Sequence, residues 1–152
     1  MNNNSKPIII GNDHAGFHLK NIIKKYLTDI GIDVEDAGTH TEESVDYSDF
    51  GISVASMVSN RRFDRGILIC GTGLGMSMAA NRFSNVRAAL CNGIFSAEMS
   101  RRHNDSNILV IGSRVTGEGV ALEIVKHWLE TPFDGGRHQM RIEKFNDMGK
   151  CI

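Results

Sequence analysis

Short apolar runs alternate along the chain with longer segments in which apolar residues recur every three or four positions. The short runs are rich in β-branched residues and end at turn-forming residues, which predicts buried strands at 7–11, 32–37, 66–70, 86–91 and 108–112. The longer segments predict helices, most of them with one apolar face. These helices cover residues 19–30, 50–58, 95–102, 118–129 and 139–146.

Strands that alternate with helices predict a parallel sheet with helices on both of its faces. The expected fold class is α/β, with a doubly wound five-stranded parallel sheet in a Rossmann-like three-layer sandwich. The sequence contains no repeat and no linker long enough to separate domains, so we predict a single domain over residues 1–152. The last helix carries few apolar residues, and we expect it to lie at a subunit interface.

Composition narrows the class of protein. The formal net charge of -1 argues against a surface that binds nucleic acid, and no apolar run approaches the roughly 20 residues that span a bilayer. The start of the chain lacks the pattern of a signal peptide. Three widely spaced cysteines without a CxxC pair suit a reducing compartment. We therefore expect a cytoplasmic protein that does not bind membranes.

The carboxyl ends of parallel strands form the usual ligand edge of such a sheet, and the residues that follow the strands are expected to converge there. Asp13 and His14 follow the first strand. Asp13 can cap the next helix or, with His14, contact a polar ligand, and the two interpretations are equally supported. His14 and His18 have the spacing of a metal-binding pair, but a third ligand at a suitable spacing is lacking, so no metal site is predicted.

The segment after the third strand is the most informative. Cys70 is followed by glycines at alternate positions, Gly71, Gly73 and Gly75, and then by a predicted helix start. Such a loop can turn several N–H groups toward one anion, although it has neither the Walker A nor the GxGxxG spacing. A thiol beside a helix N-terminus is favoured as thiolate and can act as a base or nucleophile. We prefer this to the alternative of a buried apolar cysteine, which we expect for Cys91 and Cys151.

Several basic residues occupy the second half of the chain. His103 and Asn104 end the helix that follows the fourth strand, where a basic helix terminus and a general acid are equally consistent with the sequence. Arg114 follows the fifth strand. Arg137 and Arg141 lie one helical turn apart, and their planar guanidinium groups suit a phosphate monoester.

These motifs, in this order, resemble the ribose-5-phosphate isomerase B and galactose-6-phosphate isomerase family. The matching segments cover residues 8–141 and are GNDHAGF, DYSDF, ILICGTGLGMSMAANRF, SRRHND, VIGSRV and GGRHQMR. The resemblance implies a doubly wound α/β sandwich that forms homodimers or homotetramers with active sites between subunits. It implies interconversion of D-ribose 5-phosphate and D-ribulose 5-phosphate in the pentose phosphate pathway, with no cofactor.

The resemblance also implies roles for individual residues. Cys70 would be the base that moves a proton between C1 and C2, with Thr72 and the amides of Gly71, Gly73, Leu74 and Gly75 holding the enediolate. His103 would donate a proton in ring opening. The expected substrate contacts are Asp13, His14, Tyr47, Asn104, Arg114, Arg137, His138 and Arg141.

A second subtype of the family has serine at the cysteine position and a nearby glutamate as the base. Cys70 places this chain with the cysteine subtype, and its presence beside Arg137 and Arg141 in one chain favours a homo-oligomer. Two alternatives remain open. The substrate could be a six-carbon sugar phosphate such as allose or galactose 6-phosphate, or the protein could be a sugar-phosphate sensor without catalysis. A cysteine redox protein is disfavoured because no second cysteine lies nearby in the sequence.

Overall fold

The computed structural model describes residues 6–146 and residue 148. Five strands form one parallel sheet in the order β2-β1-β3-β5-β4. The strands are β1 (Ile8–Asn12), β2 (Val34–Asp36), β3 (Gly66–Cys70), β4 (Ala88–Leu90) and β5 (Ile108–Gly112). The helices are α1 (Phe17–Asp29), α2 (Tyr47–Ser59), α3 (Leu74–Ala80), α4 (Ile94–Asn104), α5 (Glu118–Glu130) and α6 (Arg137–Asn146), and a 3-10 turn (His14–Gly16) precedes α1.

The predicted doubly wound α/β fold is confirmed, with differences at the ends of elements. β2 and β4 have three residues each, where the apolar runs predicted six. Only the central part of each run pairs, because both strands lie at sheet edges and pair on one side. α2 begins at Tyr47, three residues before the first apolar position of its stripe, since its first turn is polar and half-exposed.

The core has two halves, one on each face of the sheet. Alternate residues of β1, β3 and β5 point to opposite faces, so their apolar runs bury side chains on both. One face packs against α1, α4 and α5, with Leu19, Ile23, Leu27, Ala97, Ile124 and Trp128 at its centre. The other packs against α2 and α3, with Val54, Ala55, Val58, Met76 and Ala80, and it includes the side chain of Cys70.

The order of the strands reverses between β1 and β3. The chain passes from β1 outward to β2 and then returns across β1 to add β3 on its other side. Ligands of doubly wound sheets bind in the crevice outside the carboxyl ends of the strands at such a switch. The segments that follow β1 and β3 therefore border the predicted ligand edge.

α6 packs against α4 of its own chain. His138 and Ile142 are its buried residues, whereas Met140 and Phe145 are exposed. The location of α6 at a subunit interface stays a prediction. Among the described residues, no helix combines the length and the apolar character needed to cross a membrane.

Candidate active site

Cys70 is the last residue of β3 and is 4% exposed. Its Sγ accepts a hydrogen bond from the backbone N–H of Gly73, at 3.2 Å. Gly73 adopts a φ of 80°, which turns the loop back over the thiol and which residues with a Cβ rarely adopt. The glycine loop therefore directs a backbone hydrogen-bond donor at the sulfur.

The other residues of the glycine loop, from Thr72 to Gly75, make contacts within the loop and with Tyr47. The Oγ1 of Thr72 accepts a hydrogen bond from the N–H of Leu74, at 3.3 Å. The ring of Tyr47 lies against Gly75, where an added Cβ would come within 2.4 Å of the ring. In this form of the loop, two of the amides expected to face an anion, those of Gly73 and Leu74, are engaged within it.

The residues after β1 sit beside this loop. The N–H of Asp13 donates to the carbonyl oxygen of Ile69, at 3.2 Å, and the Asp13 carboxylate accepts from the N–H of Gly16, at 3.1 Å. Asp13 is thus a helix cap, and it also lies next to the end of β3. The Nδ1 of His14 accepts from the N–H of Val45, at 3.2 Å, which leaves Nε2 as the protonated nitrogen of the neutral ring.

His18 has a different partner. Its Nε2 lies 2.8 Å from the carboxylate of Glu118, and its side chain is 73% exposed. His14 and His18 are thus engaged separately, His14 with the N–H of Val45 and His18 with a carboxylate of α5.

The end of β5 completes the arrangement. The N–H groups of Ser113 and Arg114 donate to the carbonyl oxygens of Cys70 and Gly71, at 2.8 and 2.9 Å. The guanidinium group of Arg114 lies over Gly71. The hydroxyl of Ser113 lies 2.8 Å from the carbonyl oxygen of Ala15 and 3.2 Å from that of Cys70, so it ties three strand ends together. This role of Ser113 could not be predicted from the sequence, because a serine in a turn carries no distinctive pattern.

We call this group the thiol cluster. It lies at the carboxyl edge of the sheet. Its members are Asp13, His14, Tyr47, Cys70, Gly71, Thr72, Gly73, Leu74, Gly75 and Arg114.

The remaining predicted residues lie elsewhere. Arg87, which precedes β4, donates from Nε to the carbonyl oxygen of Asn104, at 3.0 Å, so the end of α4 lies where β4 and β5 begin. Cys70 instead pairs with Gly112, at the far end of β5. The four steps along β5 span about 13 Å at ~3.3 Å per residue. The expectation that His103 and Asn104 converge with the other strand-end residues is therefore wrong within one chain.

The cause is the geometry of a parallel sheet. A helix between two parallel strands must return the chain to the edge where the next strand begins, so its C-terminus lies opposite the ligand edge. We call the residues at this second location the imidazole cluster. Its members are His103, Asn104, Arg137, His138 and Arg141.

The imidazole cluster is built on the contact between α4 and α6. The rings of His103 and His138 are stacked, with centroids 4.4 Å apart and planes at 8°. Burial lowers the pKa of His138, and the charges of His103, Arg137 and Arg141 lower it further, while Asp134 acts in the opposite direction. Arg137 and Arg141 are exposed, so the cluster presents positive charge to solvent.

Comparison with known proteins identifies the family of this chain. The sequence model of a family described as ribose/galactose isomerase matches residues 8–145, which is most of the chain. The chain belongs to the ribose/galactose isomerase family.

Individual relatives give the same result. Ribose-5-phosphate isomerase B of Escherichia coli is 48% identical, over 91% of this chain and 93% of that protein. A solved structure of ribose-5-phosphate isomerase B from Clostridium thermocellum superposes with a TM-score of 0.91 at 52% identity, over 93% of this chain and 95% of that one. D-erythrulose-4-phosphate isomerase of Pectobacterium atrosepticum is 38% identical, over 90% of this chain and 91% of that protein.

A metal centre in this member of the ribose/galactose isomerase family is disfavoured by charge. Ligand atoms of His103, His138 and Asp134 lie within 4.8 Å of one another. However, Asp134 pairs with Arg102 at 3.2 Å, and Arg137 and Arg141 lie close enough to His138 to lower its pKa. The positive charges of Arg102, Arg137 and Arg141 oppose a divalent cation and favour an anion.

Cys91 is not part of either cluster. Cys91 is 1% exposed on the opposite face of the sheet from Cys70, and burial raises the pKa of its thiol. Cys91 therefore fits the expected buried apolar residue. Cys151 lies outside the described residues.

Proposed function

We propose that this protein is an aldose–ketose isomerase that interconverts D-ribose 5-phosphate and D-ribulose 5-phosphate through an enediolate, in the pentose phosphate pathway. The observation that carries the proposal is the contact between the Cys70 sulfur and the N–H of Gly73. It places a base at the ligand edge within the glycine loop, whose amides at Gly71 and Gly75 are not engaged by the Cys70 and Thr72 side chains and can stabilise the charge that proton transfer beside a carbonyl creates. The sequence identity of 48% and 52% to two proteins named ribose-5-phosphate isomerase B supports the choice of substrate.

In the proposed reaction, the Cys70 thiolate removes the proton from C2 of the open-chain aldose and returns it to C1. A second proton passes from O2 to O1, so that the aldehyde becomes a hydroxyl group and the C2 hydroxyl becomes the ketone. The negative charge that develops on the substrate oxygen is stabilised by the loop amides and by the hydroxyl of Thr72. Asp13, His14 and Tyr47 border the same crevice and contact the hydroxyl groups of the sugar. These roles need only groups of the chain itself, and the proposal includes neither metal nor nucleotide.

His103 is the proposed proton donor to the ring oxygen of the closed aldose. Arg137 and Arg141 are proposed to hold the phosphate, which suits their exposure and their positive charge. Since the thiol cluster lies at the carboxyl ends of the strands and the imidazole cluster lies at their amino ends, a complete site requires a second copy of the chain. We therefore propose a homodimer, or a homotetramer built from such dimers, that works in the cytoplasm.

Solvent exchange tests the roles of Cys70 and His103 separately. Ribulose 5-phosphate has no closed furanose form, because its C5 oxygen carries the phosphate. In deuterium oxide, Cys70→Ala should lose both turnover of ribose 5-phosphate and deuterium exchange at C1 of ribulose 5-phosphate. His103→Ala should lose turnover about 100-fold or more, while exchange falls far less. The buried Cys91→Ala serves as control and should retain both activities.

Other sugar phosphates are the main alternative within this function. The family description includes galactose, and one relative is named for a four-carbon substrate. Assays of four-, five- and six-carbon sugar phosphates at equal concentration decide the preference through kcat/KM. Binding without turnover of any of them would instead favour a sugar-phosphate sensor and would refute the isomerase proposal.

A further inference from the structure

The stacked rings of His103 and His138 form a contact that has no role in the proposed reaction as described above. His138 lies in the first turn of α6 and is 8% exposed, so little of its surface is left for a ligand. Its ring is nearly parallel to that of His103, at 8°, with 4.4 Å between centroids. A flat ring held in this way restricts the rotation of its neighbour. His138 is thus better placed to orient His103 than to contact a substrate.

The junction around the stack is anchored by polar contacts. The N–H of Asp134 donates to the carbonyl oxygen of Arg102, at 3.0 Å, and the Asp134 carboxylate lies 3.2 Å from the Nε of Arg102. Ile142, one turn beyond His138, is buried. These contacts fix the start of α6 against the end of α4, so the stack does not depend on the two rings alone.

The charges around His138 oppose a second proton on the pair. His138 faces His103 on α4, Arg137 and Arg141 on its own helix, and Asp134 in the preceding loop. Two protonated rings at this separation would repel each other strongly, so the two histidines titrate as a coupled pair. Burial and the three neighbouring cations favour the neutral form of His138, whereas Asp134 alone favours the charged form.

An anion on Arg137 and Arg141 would reverse this balance. A bound phosphate cancels the charge of the two guanidinium groups and adds negative charge of its own beside the rings. The proton affinity of the pair must then rise, because the same interaction energy that binds the anion next to a charged ring favours that charged ring. The proton comes from solvent.

We propose that His138 positions His103 by ring stacking, and that an anion held by Arg137 and Arg141 raises the proton affinity of the stacked pair. The inference rests on the proposed function for the identity of the anion, a sugar phosphate. Its consequence is that binding of the phosphate increases the charged fraction of the general acid.

Sulfate tests the coupling without any turnover, since it is a dianion throughout the titration range of histidine. The midpoints of the two histidine C2–H signals are followed by NMR in the purified oligomer, with and without saturating sulfate. We expect the titration midpoint of the His103–His138 pair to rise by about one pH unit. This is the shift that a dianion about 6 Å away causes in a medium with the dielectric constant of water. The signals of His18 and His127, which have carboxylate partners elsewhere, are internal controls and should move far less.

The Arg137→Ala, Arg141→Ala double variant should abolish the rise. An unchanged midpoint with sulfate bound, or a failure of sulfate to bind at all, would overturn the coupling. Equal shifts at all histidines would also overturn it, because they would indicate a general salt effect. None of these outcomes depends on isomerase activity, so this experiment can fail or succeed independently of the proposed function.

Kinetics test the positioning role. His138→Phe keeps a flat ring, whereas His138→Ala removes the stack. We expect His138→Ala to lower kcat about 30-fold with little change in KM, and His138→Phe to lower it about threefold, since orientation of a catalytic group affects the reaction and not substrate binding. A raised KM with unchanged kcat in both variants would mean that His138 contacts the substrate, and it would refute the positioning role.

Discussion

Mixed subunits provide the most direct test of a site shared between two chains. We consider Cys70→Ala and His103→Ala, each of which should be inactive alone. Cys70 lies beside the end of β5 and the end of α4 lies near its beginning, about 13 Å apart along the strand. Proton transfer needs donor and acceptor within hydrogen-bond reach of the same substrate. One chain cannot provide this without a change of fold.

The expected recovery follows from counting sites. If the two chains exchange freely at equal concentration, about half of the dimers are mixed. In a mixed dimer with shared sites, one site carries both substitutions and the other carries neither. Each mixed dimer therefore has one intact site of two, and the mixture should reach about a quarter of wild-type activity.

The assay is turnover of ribose 5-phosphate after dilution and reassociation of the two variants. Exchange is verified independently with one variant carrying an affinity tag. As a control, Cys70→Ala is mixed with Thr72→Ala, two substitutions in the same cluster, and this mixture should stay inactive. If exchange is complete and the first mixture also stays inactive, both residues act within one chain, and the proposal of a site shared between two chains is wrong.

Three further predictions concern single residues. Gly73→Ala should lower the unfolding free energy by about 1–2 kcal/mol in denaturant titrations, because its φ of 80° is strained for alanine, whereas the exposed helical Gly119→Ala should not destabilise. Arg141→Ala should weaken substrate binding by about 1.5–3 kcal/mol in calorimetry. Arg141→Lys should restore little of the lost binding free energy, because a lysine lacks the planar guanidinium group. An unchanged affinity of Arg141→Ala would show that Arg141 does not bind the phosphate. Asp36→Asn should destabilise by about 3 kcal/mol at neutral pH, because it leaves the buried Lys20 unpaired. Burial raises the pKa of Asp36, but hydrogen bonds from lysines and a backbone N–H outweigh it and lower the pKa overall. The contribution of Asp36 is therefore present above its unfolded pKa and lost as pH falls below about 4, and the two proteins should converge there in acid denaturation.

The fold could be predicted from sequence because its strands are buried on both faces. Runs such as Ile8 to Ile10 and Ile67 to Ile69 are apolar at every position, which is typical of the centre of a parallel sheet. The edge strands β2 and β4 were predicted too long. The sequence pattern does not distinguish an apolar residue that pairs with a neighbouring strand from one that only packs beside the sheet.

Most of the thiol cluster could be predicted because its residues lie at or directly after the ends of β1, β3 and β5, whereas Tyr47, at the start of α2, was expected only from the family resemblance. A position at the end of a strand determines the edge on which a residue lies. His103 lies instead in the last turn of a helix, α4. That helix returns the chain to the end of the sheet where β5 begins, so His103 lies opposite the thiol cluster. The ambiguity at Asp13 had a different cause, since the carboxylate caps a helix and borders the crevice at once.

The two clusters differ in how firmly the structure holds them, and this difference has a consequence for catalysis. Hydrogen bonds from Ser113 and Asp13 connect the ends of β1, β3 and β5, so Cys70 and its loop are fixed within one sheet. His103 is fixed to α6 of its own chain by the stack with His138. If the site is shared, the interface between subunits sets only the distance between these two rigid parts. In the proposed mechanism, abstraction of the C2 proton needs mainly the thiol cluster, whereas ring opening and phosphate binding need the imidazole cluster of the second chain. Changes at the interface should therefore impair ring opening and phosphate binding first, and deuterium exchange at C1 of the open-chain ketose should be the activity that survives longest.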